Sequence, residues 1–184
     1  MTTTEQFAVT NRWTGNVLFM AEISVTPDTR PSRKLGLAAQ WAMENNTSLS
    51  DADLHDADLS GLNLQGADMR DADLIGANMS QADLNYADMR GANMRNADMR
   101  RASLFFADMR GADMIQADMR DANMRDADMR RANISQADMR GANMSDANMR
   151  DADMSDANMG CADMRGADMS GANMRGANMC GCLT

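Results

Sequence analysis

The chain has 184 residues and a net charge of −9, long enough for one domain plus an appendage. Hydrophobic residues make up 44% of it but aromatic ones only 4%, and Met alone fills 22 positions, which excludes a conventional core of mixed large side chains. The acidic balance also excludes direct nucleic-acid binding through phosphates, which needs clustered Lys and Arg; a protein partner with basic or apolar surface fits better. The amino terminus, MTTTEQFAVTNR, has neither the basic start nor the apolar run of a signal peptide. Nothing approaches the roughly 20 apolar residues of a membrane span, so a cytoplasmic protein with no membrane contact is expected.

Residues 1–46 carry four acidic and four basic side chains and read as a separate unit. Phe7 and Val9 alternate, and Val17, Phe19, Ala21 and Ile23 alternate after the turn signal Gly15-Asn16, the pattern of a β-hairpin. After Pro27 and Pro31, Ser32 is placed to cap a helix from about Arg33 to Glu44, with Leu35, Ala38 and Ala42 on one stripe and Leu37 and Trp41 beside it.

From Thr47 to Gly181 the chain is 27 consecutive pentapeptides without an insertion, leaving residues 182–184 as a tail. The central residue is Met in nineteen units, Leu in seven and Ile once, at Ile134. Two positions earlier stands Ala, except at Thr47 and Leu62, and one position earlier stands Asp or Asn, except at Ser48 and Ser103. A period of five advances about 140° past whole helical turns, so it smears apolar residues around an α-helix. It fails on a long strand as well, because alternate units point their Ala to opposite faces. The chain must turn a corner once per unit, and repeated corners with a small and a large inward residue make a coil whose turns stack on a continuous core. Asp or Asn suits the corner, since its short side chain accepts hydrogen bonds from nearby N–H groups. Met fills such a core but specifies it less sharply than Leu.

Units such as Ala67-Asp68-Met69-Arg70-Asp71 closely resemble the A(D/N)LXX motif of the pentapeptide-repeat family. The resemblance implies an all-β fold: a right-handed quadrilateral β-helix with four pentapeptides per coil, nearly seven coils here, preceded by a small hairpin and helix cap. At about 4.8 Å per coil the solenoid spans roughly 32 Å. Solenoid ends expose core and strand edges; the hairpin and helix are expected to close the N-terminal end. The C-terminal end, finished only by CGCLT, is left open or closed by a second molecule, as in a homodimer.

Sorted by the twenty-residue period, the first face carries Arg70, Arg90, Arg110, Arg130 and Arg150 beside Asp68, Asp88, Asp108 and Asp128, a solvated salt-bridge lattice. The second face is the most acidic, with Asp53, Asp56, Asp73, Asp113, Asp153 and Asp156 against Arg95 and Arg175. On the fourth, Tyr86, Phe105 and Phe106 fall on consecutive coils, and such exposed aromatic clusters mark contact surfaces. His55 is the only histidine, and no catalytic constellation, phosphate loop or metal motif can be assembled. Neither an enzyme nor a cofactor-bearing protein is expected. Cys161 and Cys180 fall on one face of adjacent coils, within reach of each other.

Acidic family members of similar length present a B-DNA-like rod to DNA topoisomerases, and the leader with its NRWTG and AEI stretches resembles those of phage and prophage members. The resemblance therefore implies a partial DNA mimic docking through its second face, with Tyr86, Phe105 and Phe106 adding contact area, into a DNA-handling protein. The other reading is a structural or adaptor rod.

Overall fold

The structure, a computed structural model, describes residues 2–184. Strand β1 (Thr3–Thr10) pairs antiparallel with β2 (Val17–Val25), and helix α1 (Pro31–Glu44) follows. From Asp53 onward the chain forms parallel backbone bridges between residues twenty apart, beginning with Asp53 to Asp73 and ending with Asp163 to Leu183. The pentapeptides thus wind into a β-solenoid in which four units separate each residue from its stacked neighbour, and the ladder runs on through Leu183.

The unit centred on Met89 shows why five residues suffice. Ala87 N–H closes the preceding turn on Leu84 O at 3.1 Å; Asp88 N–H reaches back to Ala67 O at 2.9 Å. Met89 N–H reaches forward to Asp108 O at 2.8 Å and Gly91 N–H to Arg110 O at 3.1 Å. The remaining donor, Arg90 N–H, bonds the Asp88 side chain at 3.3 Å. All five N–H groups are therefore satisfied, and one of them only because Asp precedes the centre.

The third residue of every turn is left-handed, from φ 54° at Asp56 to 62° at Cys161 among the non-glycine residues, with Gly filling all the rest. No Val, Ile or Thr stands at any of these positions, in keeping with the steric cost of β-branched residues at positive φ. Where Asp occupies the position, the residue twenty later is often Gly: in the pairs Asp56/Gly76, Asp71/Gly91, Asp121/Gly141, Asp146/Gly166, Asp151/Gly171 and Asp156/Gly176 the carboxylate lies where a Cβ would stand. Inside, the central side chains from Leu49 to Met164 are buried, as are the Ala residues that flank them from Ala52 to Ala162. Leu62, which replaces Ala, is only half-buried and packs against the edge of the core.

The hairpin and helix lie on the first coil and pair with it through the backbone. Arg12 N–H donates to Asp51 O, Asp53 N–H to Thr10 O, and Asp58 N–H to Ser32 O, at 2.8, 2.8 and 2.9 Å. Val9, Ala21, Ile23 and Val25 join Ala38, Ala39 and Ala42 in the core, and Phe19 stacks on Trp41 with centroids 5.9 Å apart. Two expectations are corrected. Val17 does not continue the inward row: the register shifts so that Val9 faces Phe19 but Thr10 faces Val17, and the extra residue, Leu18, turns Val17 outward at 55% exposure. Ser32 is not the helix cap, because Pro31 already occupies the first turn, where its missing N–H costs nothing. Arg30 is the N-cap residue and makes no side-chain bond.

The side of α1 that faces the solenoid includes Gly36, which the sequence pattern did not single out. A Cβ there would overlap the Asp58 carbonyl, a backbone atom that cannot swing aside. Gly36→Val is expected to lower stability by about 1–3 kcal/mol through overpacking, read as a drop in thermal midpoint; an unchanged midpoint would show that the helix does not sit this close to the first coil.

Candidate protein-binding surface

The outward residues stand in rows twenty apart, and the corner chemistry decides which charges are free. In the first row Arg70, Arg90, Arg110 and Arg130 each grip the Asp two residues earlier with Nε and Nη2; Arg110 does so on Asp108 at 2.8 and 2.6 Å. Each Nε in the run from Arg70 to Arg110 also lies 3.6–3.7 Å from the Asp of the next coil. Arg100, Arg120 and Arg140 repeat the fork on Asp98, Asp118 and Asp138.

These forks explain how Asp stacks on Asp. Asp68, Asp88, Asp108 and Asp128 are bridged in succession, as are Asp98, Asp118 and Asp138, and each carries its own arginine. In the second row, where that arginine is missing, Asp alternates with Asn: the bridged series runs Asp73, Asn93, Asp113, Asn133, Asp153, Asn173. Like charges in the alternating series are two coils apart, about 9.6 Å, where solvent and salt screen much of their repulsion. Asp53 over Asp73 is an Asp pair in this row with no arginine between them.

The six acids expected from the sequence lie on this row in two settings. Asp53, Asp73, Asp113 and Asp153 each spend Oδ1 on a turn, accepting from the N–H of His55, Ile75, Ile115 and Ser155. Asp56 and Asp156 stand at the corners above Gly76 and Gly176, and Asp56 is 3.3 Å from His55 Nε2. Asp113 alone of the six has an arginine in reach, Arg95 at 3.4 Å. Asn173 donates to Asp153 at 3.0 Å, and the bonds from the Ser155 backbone, the Ser155 side chain and Asn173 hold that carboxyl below the ordinary range despite desolvation.

The aromatic residues of the fourth row do meet. Tyr86 stacks on Phe106 with centroids 5.6 Å apart, and Phe105 packs edge-on against Phe106 at 4.3 Å. Tyr86 and Phe106 are 54% and 49% exposed. Arg125 closes one side at 6.0 Å from the Phe105 ring. The sequence reading missed Asn85. Ser103 stands where Asp or Asn is needed for the turn, and Asn85, one coil earlier, reaches across so that Phe105 N–H and Ser103 Oγ both bond its Oδ1 at 2.8 Å. Ser103 itself was the available signal, a break in the Asp/Asn column beside the two Phe residues.

Among the described residues no three His, Cys, Asp or Glu side chains gather as metal ligands, and no helix is long and apolar enough to cross a membrane.

Removing the Asn85 amide leaves Phe105 N–H without its acceptor, so Asn85→Ala should cost about 1–3 kcal/mol and speed amide exchange at Phe105. Adding Ser103→Asn, which restores an acceptor in the usual place, should recover most of the loss; no recovery would refute the assignment. The forks also set an acid limit. Arg70 holds Asp68 down to about 2, against an ordinary 3.8, with burial opposing and Ser48 assisting; Arg100, Arg120 and Arg140 likewise pull down Asp98, Asp118 and Asp138. A carboxylate depressed by folding stabilises fully above its unfolded value and loses that contribution as pH falls through the folded one. The denaturation midpoint should therefore fall as pH drops from about 3.8 towards 2, and a midpoint flat across that window would contradict the forks.

A model of the family described as pentapeptide repeats matches residues 47–85, 63–101, 107–146 and 147–183. Among solved structures, the chain is similar to a pentapeptide-repeat protein of the cyanobacterium Cyanothece 51142, at 24% identity over 50% of this chain and 59% of that one, with a TM-score of 0.39. It thus spans about three fifths of that relative. It is also similar to HetL of Nostoc sp. strain PCC 7120, a protein involved in heterocyst differentiation regulation, at 31% identity over 72% and 70% of the two chains, TM-score 0.31. The plasmid-mediated fluoroquinolone resistance protein QnrB1 matches at 19% over 70% and 77%, TM-score 0.36. No curated protein matches significantly. With the repeat matched over residues 47–101 and 107–183, the chain belongs to the pentapeptide-repeat family.

Proposed function

We propose that this chain is a protein-binding module without chemistry of its own, and that its second row acts as a partial DNA mimic in the basic groove of a DNA-handling protein. The reading takes the solenoid as a right-handed quadrilateral of nearly seven coils, with residues 1–46 as its cap; the twenty-residue spacing of bridged partners supports it. One observation carries the functional part. Asp68, Asp88, Asp108 and Asp128 of the first row are neutralised by forked arginines, whereas Asp53, Asp56, Asp73, Asp153 and Asp156 have no arginine within ion-pair distance. Five acids without an arginine partner therefore lie on this side of the rod, more than on any other, against Asp51, Asp71 and Asp151 on the first row. B-DNA carries about 19 charges over roughly 32 Å and this chain a net −9, so the mimicry is of a strip rather than of a whole duplex. Tyr86, Phe105 and Phe106, together on the fourth row and so on the side of a four-sided rod opposite the second, offer apolar contact area to a groove that wraps around it.

The forked rows favour a second reading, a structural or adaptor rod, because surfaces so closely neutralised are suited to rigidity and solubility rather than to steering a partner.

The two separate in one experiment. The immobilised chain is incubated with host lysate, and retained proteins are challenged with duplex DNA and with salt. Mimicry predicts release by both and at least a tenfold loss of retention in the triple variant Asp56→Asn, Asp113→Asn, Asp156→Asn. Asn keeps the side-chain carbonyl that the Asp113 turn needs, so the fold should survive. Retention indifferent to DNA, salt and substitution would leave the rod.

A further inference from the structure

The three cysteines lie between residues 161 and 182, with none in the first 160, and the binding surface described above uses none of them. We propose that Cys161 and Cys180 form a dithiol that closes to an intramolecular disulfide by exchange with a low-molecular-weight disulfide, clasping two successive coils at one corner.

The backbone places them. Cys161 N–H donates to Cys180 O at 2.9 Å. A direct bond of that kind, one residue out of register with the stacked pair, sets the two α-carbons about 6 Å apart, inside the roughly 4.4–6.8 Å range of protein disulfides. The same pair of positions, third residue of one turn and second residue of the turn twenty on, is occupied elsewhere by Tyr86 and Phe105. Their backbones make the same bond, also at 2.9 Å, and their rings meet edge-on with centroids 6.0 Å apart. Side chains leaving these two positions therefore converge.

The surroundings leave the thiols room. Cys161 stands above Gly181, where a Cβ would lie 3.4 Å from its sulfur, so this thiol extends along the solenoid towards the turn that bears Cys180. Both cysteines are exposed and border one groove with Gly141, Gly160 and Arg140. The Arg140 side chain runs beside Gly160 while its Nε and Nη2 are held by Asp138. Cys182 is different: it occupies an inward, alanine-type position, half-buried, with its thiol bonded to Met159 O at 2.9 Å.

In the first step a Cys180 thiolate attacks one sulfur of the external disulfide, forming a mixed disulfide and releasing one small thiolate. The Cys161 thiolate then attacks the Cys180 sulfur and releases the second. The protein loses two electrons and two protons, and the external disulfide takes them up as two thiols.

The test uses the full chain in oxidised and reduced glutathione at about pH 8.5, then alkylation and non-reducing tryptic digestion. The expected product joins peptide 151–165 to peptide 176–184, two hydrogens lighter than their sum, with fragmentation placing the bond on Cys180. It should persist in Cys182→Ala, which installs the residue usual at that position, and disappear in Cys161→Ser and in Cys180→Ser. Its yield should not depend on protein concentration, and amide exchange at Cys161 should slow at least tenfold on oxidation. Separate glutathione adducts without the cross-link, a bond to Cys182, or a disulfide-linked dimer would each overturn the proposal.

Discussion

A hydrogen bond from the N–H just after the centre to the Asp or Asn side chain two residues earlier, seen at Arg90 and Asp88 and in every unit except those centred on Leu49 and Leu104, is the contact on which the solenoid depends. In the interior coils, as in the unit centred on Met89, the other four donors find backbone partners in the same turn or in adjacent coils; this one has only the side chain. An unpaired N–H repeated at every corner would be cumulative in a way that no single loop is. The requirement explains the column of short acceptors, and through it much of the negative charge. Acidity here is first a by-product of making corners, and its surface consequences depend on what stands two residues later. Arginine gives a neutral lattice, Asn in the next coil gives spaced charges, and Ser103 gives a gap filled by Asn85.

The interior follows from the same geometry. Coils stacked at strand spacing leave room for Ala beside the corner and for one longer side chain at the centre. Met, Leu and Ile all serve, since the central side chains are buried alike from Leu49 to Met164. Unbranched Met adapts to the space it is offered, so specification passes from the core to the backbone ladder and the corners.

Much of this was legible in the sequence because the period is short and unbroken. A turn once per unit, inward Ala and Met, and the paired columns of Asp and Arg all follow from counting residues by five and by twenty. What escaped depends on contacts between distant or irregular segments. The bulge at Leu18 reverses Val17 without altering the alternation that preceded it, and Gly36 matters only because the Asp58 carbonyl lies against it. Asn85 works one coil away from the turn it completes. The candidate surface was similarly half-visible: the six acids could be assigned to one row, but their freedom from arginine forks required side-chain positions.

The placement of Gly beneath corner Asp residues, as at Asp56 and Gly76 or Asp156 and Gly176, ties each pentapeptide to the one four units later rather than to its immediate neighbour. Units that look interchangeable in the sequence are therefore not modular. Loss of a single pentapeptide would slide every downstream residue into the adjacent row, setting side chains over carboxylates that now lie on glycine and separating stacked Asp residues from the arginine rows that neutralise them. Gain or loss of twenty residues would preserve both relations. The length of such a rod is thus free to vary during evolution in whole coils, while the chemistry of each side is kept in register.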